Sequence, residues 1–223
     1  MSDVIHLDKT NRYGDQRDAM LEMVLKHIKI EDGDSILDVG CGLGVLLEAI
    51  KNPTVKKTGI DIDPECIEIS KQFLPEADLR VADACDLPFP DNTFDRQTAT
   101  CILEHVDNPP AMIREMYRVC KEGGTAMIST PNIGRPLRLM LAAQKKRKID
   151  YPGHKSGWDY HLLTHILESN GWVVERIETR FVDCPFYEYL PKFIGNYLSH
   201  KLLPRLFPWV GSELYAFCRK RSP

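Results

Sequence analysis

Hydrophobic positions change their period along this chain, and each change marks an element. Met20, Val24 and Ile28 recur at helical spacing, which predicts a helix from Asp15 to Ile30 ended by the turn Glu31-Asp32-Gly33-Asp34. Ser35–Val39 (SILDV) is a short apolar run that stops at a glycine-rich turn, as a buried strand does. Leu43–Lys51 then reads as a helix, Val55–Ile60 as a strand, and Pro64 opens a helix to Phe73. Leu79–Val81 and Phe94–Thr100 are predicted strands, Ala111–Val119 a helix, and Gly124–Ser129 a fifth strand. The helical period resumes at Tyr160–Asn170, with Asp159 as N-cap and Gly171 as its stop. Trp172–Arg180 and Leu214–Cys218 are two last strands, long enough to pair antiparallel at a sheet edge.

Strands alternating with helices predict a mainly parallel sheet with helices on both faces. Such sheets bind ligands outside the carboxyl ends of their strands, where the strand order reverses. The residues just after each strand are therefore the ones to read for chemistry.

A chain of 223 residues, 43% hydrophobic and 27% charged, is sized for one well-buried domain. Its 29 basic and 32 acidic residues leave a net charge of −3, which excludes a globally basic nucleic-acid binder. The cysteines are scattered without a C-x-x-C pair, so neither a disulfide scaffold nor a structural zinc site is expected. The opening MSDVIHLDKT has no apolar stretch of the signal-peptide kind, and no apolar run approaches the ~20 residues of a membrane span. A soluble cytoplasmic protein is expected.

The loop Asp38-Val39-Gly40-Cys41-Gly42-Leu43-Gly44 carries glycines at alternate positions between strand and helix. Glycine lets backbone approach a ligand closely, and the helix start offers unpaired N–H groups. A dinucleotide fingerprint G-x-G-x-x-G would need glycine where Val45 or Leu47 stands, which disfavours a pyrophosphate site. Asp61, in GIDIDP, can accept both hydroxyls of a ribose. Asp83-Ala84, in VADACDLPF, can accept from an adenine amino group and donate a backbone N–H to the ring. Ribose and adenine would then be read by side chains, with no phosphate cradle expected.

Residues 36–44 (ILDVGCGLG), 59–64 (GIDIDP), 81–95 (VADACDLPFPDNTFD), 101–109 (CILEHVDNP) and 113–130 occur in the order found in one family. The chain resembles the class I S-adenosylmethionine-dependent methyltransferases, in the small-molecule grouping with ubiquinone-biosynthesis-like O-methyltransferases (methyltransferase type 11). The resemblance implies a Rossmann-like three-layer αβα sandwich, its seven-stranded, mostly parallel sheet carrying one antiparallel edge strand. It implies S-adenosyl-L-methionine at the strand tips. Gly40, Cys41 and Gly42 would contact the methionine part, with Asp38 near its ammonium group and Cys101 facing the methionine end. Asp61 and Ile62 would take the ribose, and Asp83 and Ala84 the adenine. The expected reaction is O-methylation of a hydrophobic or anionic small molecule. A protein or RNA methyltransferase, or a non-catalytic S-adenosylmethionine-binding protein, are the alternatives.

Other features qualify the resemblance. Asn108-Pro109-Pro110-Ala111 imitates the N-P-P-[YF] loop of amino-group methyltransferases acting on nucleic-acid bases. It stands late after the fourth strand and ends in alanine, so it reads as a helix cap and helix-start proline. In ubiquinone-type enzymes an acid three residues before Glu104 helps bind a divalent metal; Cys101 takes that place here, and no metal is expected. Gly153-His154 and the following Trp158-Asp159 are similar to the family segment after the fifth strand, which puts His154 over the site mouth. His154 either orients or deprotonates the acceptor or pins its loop by a backbone hydrogen bond. His105, beside Glu104, is the second candidate catalytic residue. His161 and His165 have metal-ligand spacing but no evident third ligand, and read as face residues.

Residues 131–160 hold seven bases against Asp150 and Asp159, and residues 181–212 are rich in aromatics. Both are expected as substrate-cap insertions within a single domain, 1–223. Leu190, Phe193, Ile194, Tyr197 and Leu198 form one apolar helix face. That face either packs back onto the sheet or joins the basic run to admit the acceptor and touch an anionic membrane surface. No nucleic-acid partner is expected.

Overall fold

In the computed structural model, residues 14–134, 153–180, 192–198, 202, 206 and 211–222 are described. Seven strands, β1 (Ser35–Val39), β2 (Lys56–Asp61), β3 (Asp78–Val81), β4 (Phe94–Thr100), β5 (Cys120–Pro131), β6 (Val173–Arg180) and β7 (Glu213–Arg219), form one sheet in the order β3-β2-β1-β4-β5-β7-β6. The first five pair in parallel, and β7 pairs antiparallel with both β5 and β6. The last two strands thus meet antiparallel at one margin of the sheet, as expected. The strand that opposes the others, β7, lies one place inside that margin, with β6 outermost.

The helices are α1 (Gly14–Ile28), α2 (Val45–Ala49), α3 (Pro64–Phe73), α4 (Pro109–Val119), α5 (Tyr160–Ser169) and α6 (Lys192–Tyr197). The strand period of two sorts the core onto the two faces of the sheet. Ala126 and Ile128 of β5, with Leu214 and Ala216 of β7, pack among Met112, Ile113 and Met116 of α4 and Leu163 and Leu167 of α5. The intervening Met127, Tyr215 and Phe217 pack against Met23, Val24 and Ile28 of α1. Because both faces are covered, these strands show continuous apolar runs rather than alternation.

Local chemistry sets the helix ends. The Asn108 side chain accepts from the Ala111 N–H, with proline at the first helical position, so the Asn-Pro-Pro-Ala segment is a cap. Asp63 and Asp159 cap α3 and α5 in the same way, accepting from the Glu65 and Leu162 N–H groups. Gly171, at φ +98°, stops the chain after α5. α2 is shorter than the pattern Leu43–Lys51, because Gly44 is left-handed (φ +76°) and Ile50 is extended. Neither residue can continue a helix. Ile194 and Tyr197 of α6 are exposed, so in the described part of that stripe these two do not pack onto the sheet. The basic run at 145–148 and the aromatic stretch at 181–191 lie outside the described residues. Among the described residues no helix is long and apolar enough to cross a membrane.

Candidate active site

The strand order reverses between β1 and β4, and the sequence-predicted residues gather at the carboxyl ends of β1 to β5. After β1 the backbone is left-handed at Gly40 and Gly42, at φ +72° and +51°. A Cβ on Gly40 would stand 2.4 Å from the tip of the Ile102 side chain and 3.2 Å from its Cβ, in a left-handed backbone that favours glycine. A Cβ on Gly42 would meet nothing within 4 Å, which leaves room for a ligand over this turn. The Gly40 and Cys41 N–H groups both donate to the Ile60 carbonyl, and the Gly42 N–H donates to Asp61 Oδ2 (2.8 Å). These three donors are committed to holding the turn. The Cys41 side chain is buried against the position of Gly59, and burial pushes its thiol pKa up. It is a packing group and no nucleophile.

Asp38, at the end of β1, is 2% exposed and accepts from the Thr98 hydroxyl at 2.7 Å. Burial raises its pKa to about 7, against the lowering effect of Thr98, and Asp61 adds to the rise. The sequence reading missed Thr98, which orients this carboxylate from the neighbouring strand. Asp61 accepts from the Gly42 N–H on one oxygen and from the Asp63 N–H at 2.9 Å on the other. Its partial exposure leaves lone pairs facing outward. Ile62 follows it with 72% of its surface exposed, an apolar plate at the tip of β2. After β3, Asp83 is exposed and accepts from the Cys85 N–H (2.8 Å), while Ala84 is buried.

The tip of β4 makes the other wall. Cys101 takes a left-handed φ of +51°, unusual for a residue with a side chain, and its N–H donates to the Ser129 carbonyl (3.0 Å) on β5. Burial raises its thiol pKa, with Glu213 and Glu104 adding negative charge. Glu104 is 2% exposed and accepts from the Thr130 hydroxyl at 3.0 Å. Burial raises it to about 7. His105 Nδ1 lies 3.1 Å from the Gly153 carbonyl, its Nε2 lies 3.9 Å from Glu104, and its ring meets the His154 ring edge-to-face at 4.9 Å. The structure therefore joins the two histidines, far apart in sequence, at one point. The returning loop is held there by the Lys155 and Ser156 N–H groups on the Glu104 carbonyl and by a Lys155–Asp107 ion pair at 2.7 Å. The sequence reading missed the burial of Glu104 and its partner Thr130, because both depend on that loop. His161 and His165 are exposed on α5, apart from this cluster.

A family described as "Methyltransferase domain" matches residues 37–128, from the second half of β1 to β5. The demethylmenaquinone methyltransferase of Symbiobacterium thermophilum is 42% identical over 101 residues, which are 41% of this chain and 40% of that protein. The match thus spans less than half the length of that relative. Among solved structures, a S-adenosylmethionine-dependent methyltransferase from Aquifex aeolicus superposes with a TM-score of 0.60 at 19% identity, covering 89% of this chain and 88% of its own. A Haloferax volcanii complex with a methyltransferase activator contains a chain that superposes with a TM-score of 0.70 at 18% identity, covering 94% and 92%. At such identities these structures carry the fold alone. The strand-tip residues thus lie on a sheet shared with solved methyltransferase structures, and the methyltransferase-domain match covers the part of the chain from β1 to β5 that carries them.

Proposed function

We propose that this protein transfers the methyl group of S-adenosylmethionine to an oxygen of a small molecule. The observation that carries the reading is the division of the strand-tip row into two ends. Asp38 and Asp61 end or nearly end β1 and β2 and Asp83 follows β3, an order along neighbouring strand tips that suits an ammonium, a ribose and an adenine. Glu104, His105 and His154 stand beyond β4, where a second reactant would sit. The cofactor fits this chain's residues. The open face of Gly42 gives it room, and a buried Asp38 whose hydrogen-bond partner is Thr98 is suited to a ligand cation.

When bound, S-adenosylmethionine supplies a methyl group already activated on a positively charged sulfur. The chain's own residues then have three tasks. Asp61 and Asp83 accept hydrogen bonds and fix the nucleoside, and exposed Ile62 offers an apolar surface beside it. Asp38 holds the ammonium and so sets the direction in which the methyl points. Alignment is the main contribution such a site can make, because the leaving group needs no further activation. His105 and His154 orient the acceptor hydroxyl and receive its proton. The Gly153 carbonyl can only accept, so Nδ1 of His105 carries the hydrogen and its Nε2 lone pair faces the site. A base so placed contributes roughly 10²–10⁴-fold. The demethylmenaquinone acceptor named for the relative supports a hydrophobic ring compound as the substrate class. The 131–160 and 181–212 segments serve as its cap.

Turnover of labelled S-adenosylmethionine against metabolite extracts, with and without RNase and protease treatment, tests the proposal. Label should move into a small organic product and be insensitive to both treatments. Labelled protein or RNA, or cofactor binding without transfer, would overturn it.

A further inference from the structure

Glu104 is the buried member of the group beyond β4. Its side chain is 2% exposed, and a carboxylate so placed is costly to keep charged. Burial raises its pKa to about 7; Thr130 opposes the rise and Glu213 adds to it. The groups that face it come from several elements. Thr130 of β5 donates its hydroxyl to Oε2 at 3.0 Å, Glu213 stands at the start of β7, and the Cys101 thiol lies at the tip of β4. Lys155, on the returning loop, is engaged by Asp107 at 2.7 Å. Among the described residues the basic group within ion-pair distance of Glu104 is His105, whose Nε2 lies 3.9 Å from Oε1. A ring nitrogen of His154 lies within 4.8 Å of both. Nδ1 of His105 donates to the Gly153 carbonyl, which turns the Nε2 lone pair toward this carboxylate and the open site.

We infer that Glu104 is a positioning residue for the transfer, acting through His105 and taking from it the proton that the acceptor loses. The inference rests on the methyltransferase reading. The acceptor hydroxyl gives its proton to the Nε2 lone pair of His105 and keeps the electron pair with which its oxygen takes the methyl group. Nδ1 keeps its own hydrogen on the Gly153 carbonyl, so the ring now carries two N–H bonds and a positive charge. A small ring rotation closes the 3.9 Å gap, and Nε2 hands the proton to Oε1. His105 is neutral again, and Glu104 ends as the uncharged acid that its burial favours. An imidazolium left beside the carboxylate would instead keep two charges where water is largely excluded. Between turnovers the proton returns to water by the same ring, whose side chain is 42% exposed.

The test uses the full chain and two readouts. Infrared titration of the empty protein from pH 5.5 to 8.5 reads the carboxyl directly, with Asp38→Asn as the parent so that Asp38 does not contribute. A carboxylic-acid C=O band should disappear with a midpoint near 7 and be missing after Glu104→Gln. Thr130→Val removes a donor to the ionised form and should move the midpoint to higher pH. Initial rates of label transfer into a metabolite extract, at saturating S-adenosylmethionine, are then followed over the same range with Asp38 intact. Wild-type rates should rise through that midpoint, because the carboxylate is the form that takes the proton. Glu104→Gln should lower the rate by roughly tenfold or more and lose this dependence. Thr130→Val should carry the dependence upward, and Glu104→Asp, which keeps a carboxyl, should retain it. A role confined to holding the fold would lower rates without moving their pH dependence. Absence of the band, or the same pH dependence in wild type and Glu104→Gln, overturns this inference alone. No transfer by the wild type at any pH overturns the methyltransferase reading and this inference with it. If thermal melts show Glu104→Gln to be unfolded, Thr130→Val decides, and unshifted midpoints in both readouts overturn the inference.

Discussion

Asp38→Asn should strengthen the empty protein while weakening its hold on the cofactor. The Asp38 carboxyl is buried with Thr98 as its hydrogen-bond donor, and its pKa is raised from 3.8 to about 7. A displacement of that size sets a ceiling of about 4 kcal/mol on the cost of charging the group in the folded state. The folded value lies above the unfolded one, so the contribution of this group is intact below the unfolded pKa. It is lost as pH rises from about 4 through 7. Asparagine keeps the shape and an acceptor for Thr98 and removes the charge. At pH 8 the variant should melt higher, by roughly 2–4 °C for each kcal/mol regained in a chain of this length. The difference should shrink as the pH falls toward 4. Cofactor binding should respond in the opposite sense, because an ammonium prefers the ionised carboxylate. Loss of a charged hydrogen bond costs about 1.5–3 kcal/mol, or roughly 10–150-fold in Kd at pH 8. Below pH 7 the wild-type affinity should decline with pH as Asp38 takes up a proton, while the variant's response should be flatter. Thermal melts of the empty protein from pH 4 to 8.5, with calorimetry against S-adenosylmethionine, measure both effects. An asparagine variant that is less stable at pH 8, or that binds the cofactor as tightly as wild type, would refute the reasoning.

Asp61→Ala and Asp83→Ala should each cost on the order of 1–3 kcal/mol of S-adenosylmethionine affinity in calorimetry, with no NAD binding in any form. Only Asp61→Ala should also lower the melting temperature, because Asp61 holds the Gly42 and Asp63 N–H groups while Asp83 is exposed. Gly40→Ala should destabilise by more than about 1 kcal/mol and abolish cofactor binding, because its Cβ meets Ile102 at 2.4 Å in a left-handed backbone. Replacing Lys145, Lys146, Arg147 and Lys148 with Gln should leave cofactor affinity intact and raise the acceptor KM or weaken binding to anionic vesicles. If both stay unchanged, the basic run is only a solvated face.

Direction along the chain explains why the row of acids at the tips of β1 to β3 was legible in sequence and the burial around Glu104 was not. In a parallel sheet every strand delivers its last residue to the same edge, so locating β1, β2 and β3 already places Asp38, Asp61 and Asp83 in one row. The first and fourth strands were placed to the residue by their bounding turns. Glu104 is marked in sequence only by its place beside His105 in CILEHV, and nothing there shows that it is buried. Its burial is created by Thr130 from β5 and by residues 153–156 returning over it, and both are tertiary events. The placement of β7 was hidden for a related reason. Two final strands are visible as apolar runs, but insertion of the last one between β5 and β6 is a tertiary pairing that the runs themselves do not encode. That insertion also brings Glu213, at the start of β7, close enough to Cys101 and Glu104 to raise both. The half of the site built from one local rule repeated strand by strand could be read from sequence, whereas the half built by long returns had to be seen. Substrate choice within a shared fold is free to vary in that second half, because replacing a returning loop changes the wall beyond β4 without touching the row of acids at the tips of β1 to β3.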